Sequence, residues 1–513
     1  MAEAPRTVAQ LVDAQAAARP DAVYFLATET GRTLTFAELA ASSRRIAALL
    51  GRIAGPPGTH VSIVMPNGLA TLRLLVGAMA GGYCVNPVNL LSQPEQMRYV
   101  IDHCDSRVVF VAPDRAAKVR EGVAGIEREI LVVEVDPDGE ALPGEEAGDA
   151  SFALPQVAPD ALALLMYTSG TTGKPKGVML TQSNLVANAR AISEEHRLGP
   201  SDRVTAVLPL YHINAFAVTM LAPLAHGGSL AMPPKFSAGR FWELATRHGC
   251  TWLNMVPTMV SYLLEGPTPP RESIAHVRFC RTASAPLPPE HLLAFQSRFG
   301  IGVIETMGLT ETVAPAFSNP WEADRRRVGS VGKPSGCEAR IVDERGRELP
   351  DGTPGEIAIR GPQVTPGYYK NPEASAAAFF PDGWLRSGDV GVRDREGYFF
   401  VTGRIKELII KGGENIAPRE IDEVLLRHPA VLDAAAVGIP DRHYGQEIMA
   451  CVIRRPGTAC GEEELRDFCV EHLGPFKTPK VIRFVEELPR GPSGKVQRLK
   501  LLDAATAPAG AAS

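Results

Sequence analysis

Tyr167-Thr-Ser-Gly-Thr-Thr-Gly-Lys-Pro-Lys-Gly177 follows an apolar run, Ala161 to Met166, that reads as a buried strand. The stretch holds four aliphatic hydroxyls, three glycines and two lysines. Glycine has no Cβ, so backbone N–H groups in such a turn can close on phosphate oxygens. The hydroxyls add donors and the lysines add charge. Pro175 stands after Lys174 where the common nucleotide loop G-x-x-x-x-G-K-[ST] needs a hydroxyl for magnesium, so this is a different loop. Pro175 also disfavours a helix running through Lys174. A polar turn of this composition equally fits plain solvent exposure. Taken alone it implies no more than nucleotide binding by Thr168, Ser169, Gly170, Thr171, Thr172, Gly173 and Lys174.

Outward from this loop, short apolar runs alternate with amphipathic segments. Val61 to Met65, Val108 to Val111, Ile130 to Val135, Val204 to Leu208 and Thr251 to Val256 read as strands. Phe36 to Leu50 reads as a helix, opened by a Thr35/Glu38 capping box and stopped by Gly51. This alternation predicts α/β architecture, parallel sheets covered by helices on both faces. From Gly355 the texture changes. Gly355–Gly361, Gly397–Gly403 and Glu407–Lys411 are short runs punctuated by glycine, as in a small antiparallel sheet or barrel. About a hundred residues follow Arg404, enough for a small α+β domain. Its helix is expected from Pro418 to Leu426, with strands near Asp433–Val437 and Ile448–Ile453. We therefore expect a large N-terminal domain, 1–403, and a small C-terminal one, 404–513.

With 513 residues, 45% hydrophobic and 22% charged, the chain has the composition of a multidomain globular protein. A net charge of −5 argues against a broad nucleic-acid or anionic-membrane surface. The eight cysteines form no C-x-x-C pair and no zinc spacing, so reduced thiols and a cytoplasmic location are expected. Met1 to Pro20 lacks the apolar core of a secretory signal, and Leu74 to Val88 is too short and glycine-rich for a membrane span.

Further strings occur in order along the chain: Leu208-Pro-Leu-Tyr-His-Ile213, Thr282-Ala-Ser-Ala-Pro-Leu287, Glu305-Thr-Met-Gly-Leu-Thr-Glu311, Trp384-Leu-Arg-Ser-Gly-Asp-Val-Gly391, Gly403-Arg404 and Pro489-Arg-Gly-Pro-Ser-Gly-Lys495. Together with the loop, they resemble the acyl-CoA synthetase branch of the adenylate-forming enzymes across roughly residues 10 to 500. The resemblance implies a two-step reaction: a carboxylic acid and ATP give acyl-AMP and pyrophosphate, then coenzyme A takes the acyl group and releases AMP. It also implies that the C-terminal domain is mobile.

Residue roles follow from the same resemblance. Ser284, Ala285, Pro286, Glu305, Thr306 and Met307 would hold adenine, Thr310 the α-phosphate, and Glu311 a Mg2+ ion, which prefers carboxylate oxygen. Asp389 and Arg404 would take the ribose hydroxyls. Lys495 would bring positive charge to the reacting carboxylate and phosphorus. His212, Asn214 and Gly308 would line the acyl pocket. Lys235, Gly412 and Gly413 would face coenzyme A, and Lys406 would be the hinge. Any one of these charges, read alone, fits a solvated surface residue, and His212 alone fits a packed core histidine. Two departures stand out: Met307 replaces the usual aromatic under adenine, and Ser387 the usual threonine.

The acyl group is open. Asn214 stands where aryl-acid ligases often carry a bulky aromatic, which favours a small polar acid such as sulfoacetate or malonate; fatty and coumarate-like acids are the alternative. Arg281 reads as a surface arginine, with a role toward a second anion as the other choice. An acyl-AMP-only ligase, a luciferase-like oxygenase and a non-catalytic nucleotide sensor share the fold. The oligomeric state is also open.

Overall fold

The computed structural model describes residues 4–145, 151–168, 174–490 and 496–502. These form two compact units: one runs to Ala339 and includes Ile359–Leu385, the other comprises Arg340–Ala358 and the chain from Arg386 onward.

The first unit has the expected α/β architecture. Among the described residues its larger sheet has nine strands, with a parallel centre of Val303–Leu309, Phe279–Thr282, Trp252–Met255, Arg203–Thr205, Ser229–Met232 and Val23–Ala27. Antiparallel strands close both edges. A seven-stranded sheet is built around the parallel strands Leu162–Thr168, Cys84–Pro87, His60–Val64, Val108–Val111 and Leu131–Glu134. Lys176–Thr181 lies antiparallel to Leu162–Thr168, so the loop between them joins two neighbouring strands, and the short strand Gly367–Tyr368 closes that edge. Central strands such as Trp252–Met255 and Phe279–Thr282 are buried at every position, as strands covered on both faces must be.

Helix Phe36–Ile53 starts on the expected capping box: Thr35 Oγ1 accepts from the Glu38 amide and Glu38 returns the bond to the Thr35 amide. Gly51 does not stop it. The helix passes through, since one interior glycine costs only about 1 kcal/mol, and the amides of Ala54 and Gly55 cap Leu50 O three residues later. Helix Leu69–Ala80 is buried throughout, and no helix among the described residues is long and apolar enough to cross a membrane.

The second unit carries a four-stranded sheet of Glu338–Val342, Gly355–Arg360, Leu385–Arg393 and Phe399–Arg404. It also holds a five-stranded sheet centred on the long pair Val431–Asp441 and Gly445–Arg454. Helix Pro418–Arg427 packs Ile421, Val424 and Leu425 onto that pair. Residues 404–406 lie within this unit. All eight cysteines are unpaired; seven are buried and Cys337 is half-buried.

Candidate active site

Strand Leu162–Thr168 delivers Thr168 to the mouth of the glycine-rich loop. Ser169, Gly170, Thr171, Thr172 and Gly173 lie outside the described residues, as does Lys495. Beyond the loop, exposed Lys174 places Nζ 5.8 Å from the centre of the Tyr99 ring, and Lys176 sits 5.1 Å over Tyr368.

Val303–Leu309 runs into a short 3-10 turn, Thr310–Thr312, and the chain reverses into Ala314–Ser318. The reversal is tight. Val313 and Ala314 both take left-handed φ, 58° and 78°, a region that costs non-glycine residues energy. Thr312 Oγ1 clamps it, accepting from the Leu309 amide at 3.0 Å and donating to Ala314 O at 2.8 Å. At Gly308 a Cβ would stand 1.7 Å from Ala314 O, so only glycine fits there. Glu305 and Thr306 are buried, and Thr306 Oγ1 donates to Thr282 O at 3.2 Å, tying this element to the Thr282–Leu287 turn. Met307, Thr310 and Glu311 are half-buried.

Glu311 is fixed from a distant segment. The Tyr368 hydroxyl donates to its Oε1 at 2.9 Å, and the Thr365 amide donates to its backbone oxygen at 2.8 Å. Burial and the Glu311 charge push the Tyr368 hydroxyl up, so it remains a donor. No cluster of three or more metal-ligating side chains occurs among the described residues. A single held carboxylate nevertheless suits Mg2+, which draws its other ligands from water and phosphates.

Arg281 corrects the sequence reading. It is not on the surface: only 1% of it is exposed, and it lies in a central parallel strand. Its Nη1 donates to Asn214 Oδ1 at 2.8 Å and to Asn254 Oδ1 at 2.7 Å, while Nε has no partner among the described residues. Both acceptors are neutral, and no carboxylate pairs with it among the described residues. Burial lowers its pKa to about 9, which leaves it a cation at neutral pH. Asn214 is buried at the start of a π-helical turn, Asn214–Leu221, a form common at functional sites. Its Nδ2 donates to Ser284 Oγ at 3.2 Å, and Ser284 itself takes φ 75°. One hydrogen-bonded chain thus runs from Arg281 through Asn214 to the predicted adenine turn, where Ala285 is half-buried and Pro286 exposed. His212 is half-buried with its ring 4.7 Å from Tyr211, and Lys235 is exposed.

In the second unit, Asp389 and Arg404 face each other across paired strands, with Arg404 Nε 2.7 Å from Asp389 Oδ1. Lys406 is exposed in the turn Ile405–Glu407. Gly412 and Gly413, at φ 58° and 87°, form the two-residue turn between Ile409–Lys411 and Glu414–Ile416. Beneath it, buried Lys411 is paired with Glu447 at 2.6 Å.

Sequence reasoning missed Asn254 and Tyr368. A lone asparagine inside Trp252-Leu-Asn-Met255 was the one signal for the first; Tyr368 reaches Glu311 across 57 residues and left none.

A family model described as AMP-binding enzyme matches residues 12–369, and one described as AMP-binding enzyme C-terminal domain matches 420–495. The chain belongs to the AMP-binding enzyme family. Within it, the chain is an acyl-CoA synthetase of the AMP-forming kind, with ATP and coenzyme A as substrates. It is 56% identical to a sulfoacetate–CoA ligase of Cupriavidus necator over 498 residues, 97% of each chain. An oxalate–CoA ligase of Arabidopsis thaliana is 36% identical and covers 91% of this chain and 92% of its own. Among solved structures, ATP-bound MatB from Rhodopseudomonas palustris superimposes with a TM-score of 0.91 at 31% identity, covering 97% and 98% of the two chains.

Proposed function

We propose that this AMP-forming ligase activates a small carboxylic acid that carries a second anionic group, with sulfoacetate or malonate as the type. The observation that carries this is the buried Arg281 guanidinium, held among the described residues by neutral amides. A buried cation without a counter-charge is costly, and a substrate anion beside it removes that cost. The two relatives named for sulfoacetate and oxalate support the reading, since both acids are doubly charged.

In the proposed first step a carboxylate oxygen attacks the α-phosphorus of ATP and the bridging P–O electrons leave with pyrophosphate. Glu311, positioned by Tyr368, would hold Mg2+, which neutralises phosphate charge when bound. Thr310 and the loop residues Thr168 to Lys174 grip phosphate oxygens, and Ser284 to Pro286 with Glu305 to Met307 frame adenine. Asp389 accepts from the ribose hydroxyls while Arg404 keeps it oriented. Lys495 stabilises the charge shared by carboxylate and phosphorus. His212, Asn214 and Gly308 line the acyl side. In the second step the thiol sulfur of coenzyme A bonds to the acyl carbon and AMP leaves; Gly412, Gly413 and Lys235 serve the cofactor. The residues from 404 onward turn about Lys406 between the steps. We place the enzyme in the cytoplasm, where its unpaired thiols stay reduced.

ATP–pyrophosphate exchange over sulfoacetate, malonate, acetate, coumarate and dodecanoate tests the substrate class. A doubly anionic acid should give the highest kcat/KM, and Arg281→Met should lower it by at least about 30-fold, the usual scale for stranding a buried charge partner. Preference for coumarate or dodecanoate by more than about tenfold would overturn the reading.

A further inference from the structure

We propose that Asn214 and Asn254 are specificity-determining residues: as neutral acceptors they hold Arg281 in place without spending its charge, so that the enzyme selects acids by the charge on their tail. This rests on the reading of a doubly anionic substrate and adds what enforces it.

The placement is specific. Asn254 and Arg281 are register partners on adjacent parallel strands, and Asn214 enters from the π-helical turn. Both amides turn their oxygen toward Nη1, at 2.7 and 2.8 Å. Their NH2 groups are also committed: Asn254 Nδ2 lies 3.4 Å from Asn214 Oδ1, and Asn214 Nδ2 lies 3.2 Å from Ser284 Oγ. Each amide orientation is therefore locked by the next acceptor along, ending on a hydroxyl. Proteins ordinarily bury a guanidinium against a carboxylate, and aspartate has the shape of asparagine. Here both positions that accept a hydrogen bond from the guanidinium among the described residues carry the uncharged member of that pair. His196, which burial and the Arg281 charge hold neutral, adds no second positive charge.

Aspartate at either position would supply the missing charge from within. At 214 it would keep the hydrogen bonds: one oxygen accepts from Arg281 and Asn254, the other from the Ser284 hydroxyl. A dianionic acid would then meet a site of zero net charge, and an acid with a neutral tail would no longer leave a cation unpaired.

The probe pair is sulfoacetate and sulfamoylacetate, the same acid with one sulfonate oxygen replaced by NH2, so that the tails differ in charge far more than in shape. In the wild-type enzyme kcat/KM should favour sulfoacetate by at least about 30-fold. In Asn214→Asp and in Asn254→Asp, each checked for native circular dichroism, the ratio should fall to within a fewfold of unity, mainly by gain on sulfamoylacetate. Arg281→Met should abolish the preference as well. Retention of the wild-type ratio in both aspartate variants overturns the proposal while leaving the substrate reading intact. Absence of any preference in the wild type removes that reading itself. Failure of both variants to fold also overturns the proposal, because it requires aspartate to fit opposite Arg281 through the same bonds; if one folds, that one decides.

Discussion

Gly308→Ala tests whether the tight reversal after Val303–Leu309 sets the geometry of adenylation. The added Cβ would stand 1.7 Å from Ala314 O, 2.2 Å from its carbonyl carbon and 2.8 Å from Pro315 Cα, all backbone atoms. Real Cβ contacts do not fall below 3.0 Å, so the two strands must part by about 1.3 Å, and neither side chain rotation nor solvent can absorb it. Ala314 already sits at φ 78°, which leaves the reversal little room to yield. We expect a stability loss of about 1–3 kcal/mol from overpacking. The shift is passed to Thr310 and Glu311, the next residues but one, and displacement of a reacting group by about 1 Å costs on the order of 10²-fold in rate. Urea denaturation gives the first quantity and single-turnover acyl-AMP formation, with saturating ATP and acid, gives the second. A variant that folds with wild-type stability and adenylates at the wild-type rate would refute the claim that this contact holds the site.

Asp389→Asn should raise KM for ATP by about 10- to 100-fold, the worth of a charge-assisted acceptor, with melting temperature little changed because Arg404 is 40% exposed and can rehydrate. Lys406→Pro fits the φ of a 3-10 turn and should fix one arrangement of the C-terminal residues; pyrophosphate exchange is expected to persist while thioester formation falls by orders of magnitude, and equal loss of both steps would remove the pivot. Burial holds His196 neutral, with a pKa lowered to about 3. Between pH 6.5 and that value the unfolded chain binds a proton the native state refuses, so stability should fall with acidification by up to about 1.4 kcal/mol per pH unit; His196→Gln should flatten this slope in urea titrations run from pH 7 to 4.

The local part of the fold was legible because its signals are local. Thr35 and Glu38 announce a helix start within four residues, and Val108–Val111 reads as a strand from its own composition. The end of that helix was misread because Gly51 is judged by propensity, while Phe36, Leu39, Ile46 and Leu50 bury the face that carries the helix beyond it. The site was legible where it lies in contiguous strings, as at Glu305–Glu311. It was illegible where tertiary pairing decides. Arg281 is buried because its strand is covered on both faces, and its two partners come from a neighbouring strand and a helical turn 27 and 67 residues away. A sequence lacking strand order cannot say that Asn254 and Arg281 are neighbours. Nor could it show that Gly412 and Gly413 are required by a two-residue turn as well as by any close approach of a thiol arm.

The cysteines bear on what this enzyme must keep apart. An acyl-adenylate is an activated acyl donor, and a protein thiolate within reach would attack its acyl carbon and expel AMP, giving an acylated cysteine in place of the coenzyme A thioester. Burial pushes all eight protein thiols up, and a protonated, covered sulfur is a poor nucleophile. The chain thus carries eight sulfur atoms through every turnover without offering one as a rival to coenzyme A. Burial and protonation together make these thiols poor competitors for the acyl group, so cysteine need not be purged from the sequence.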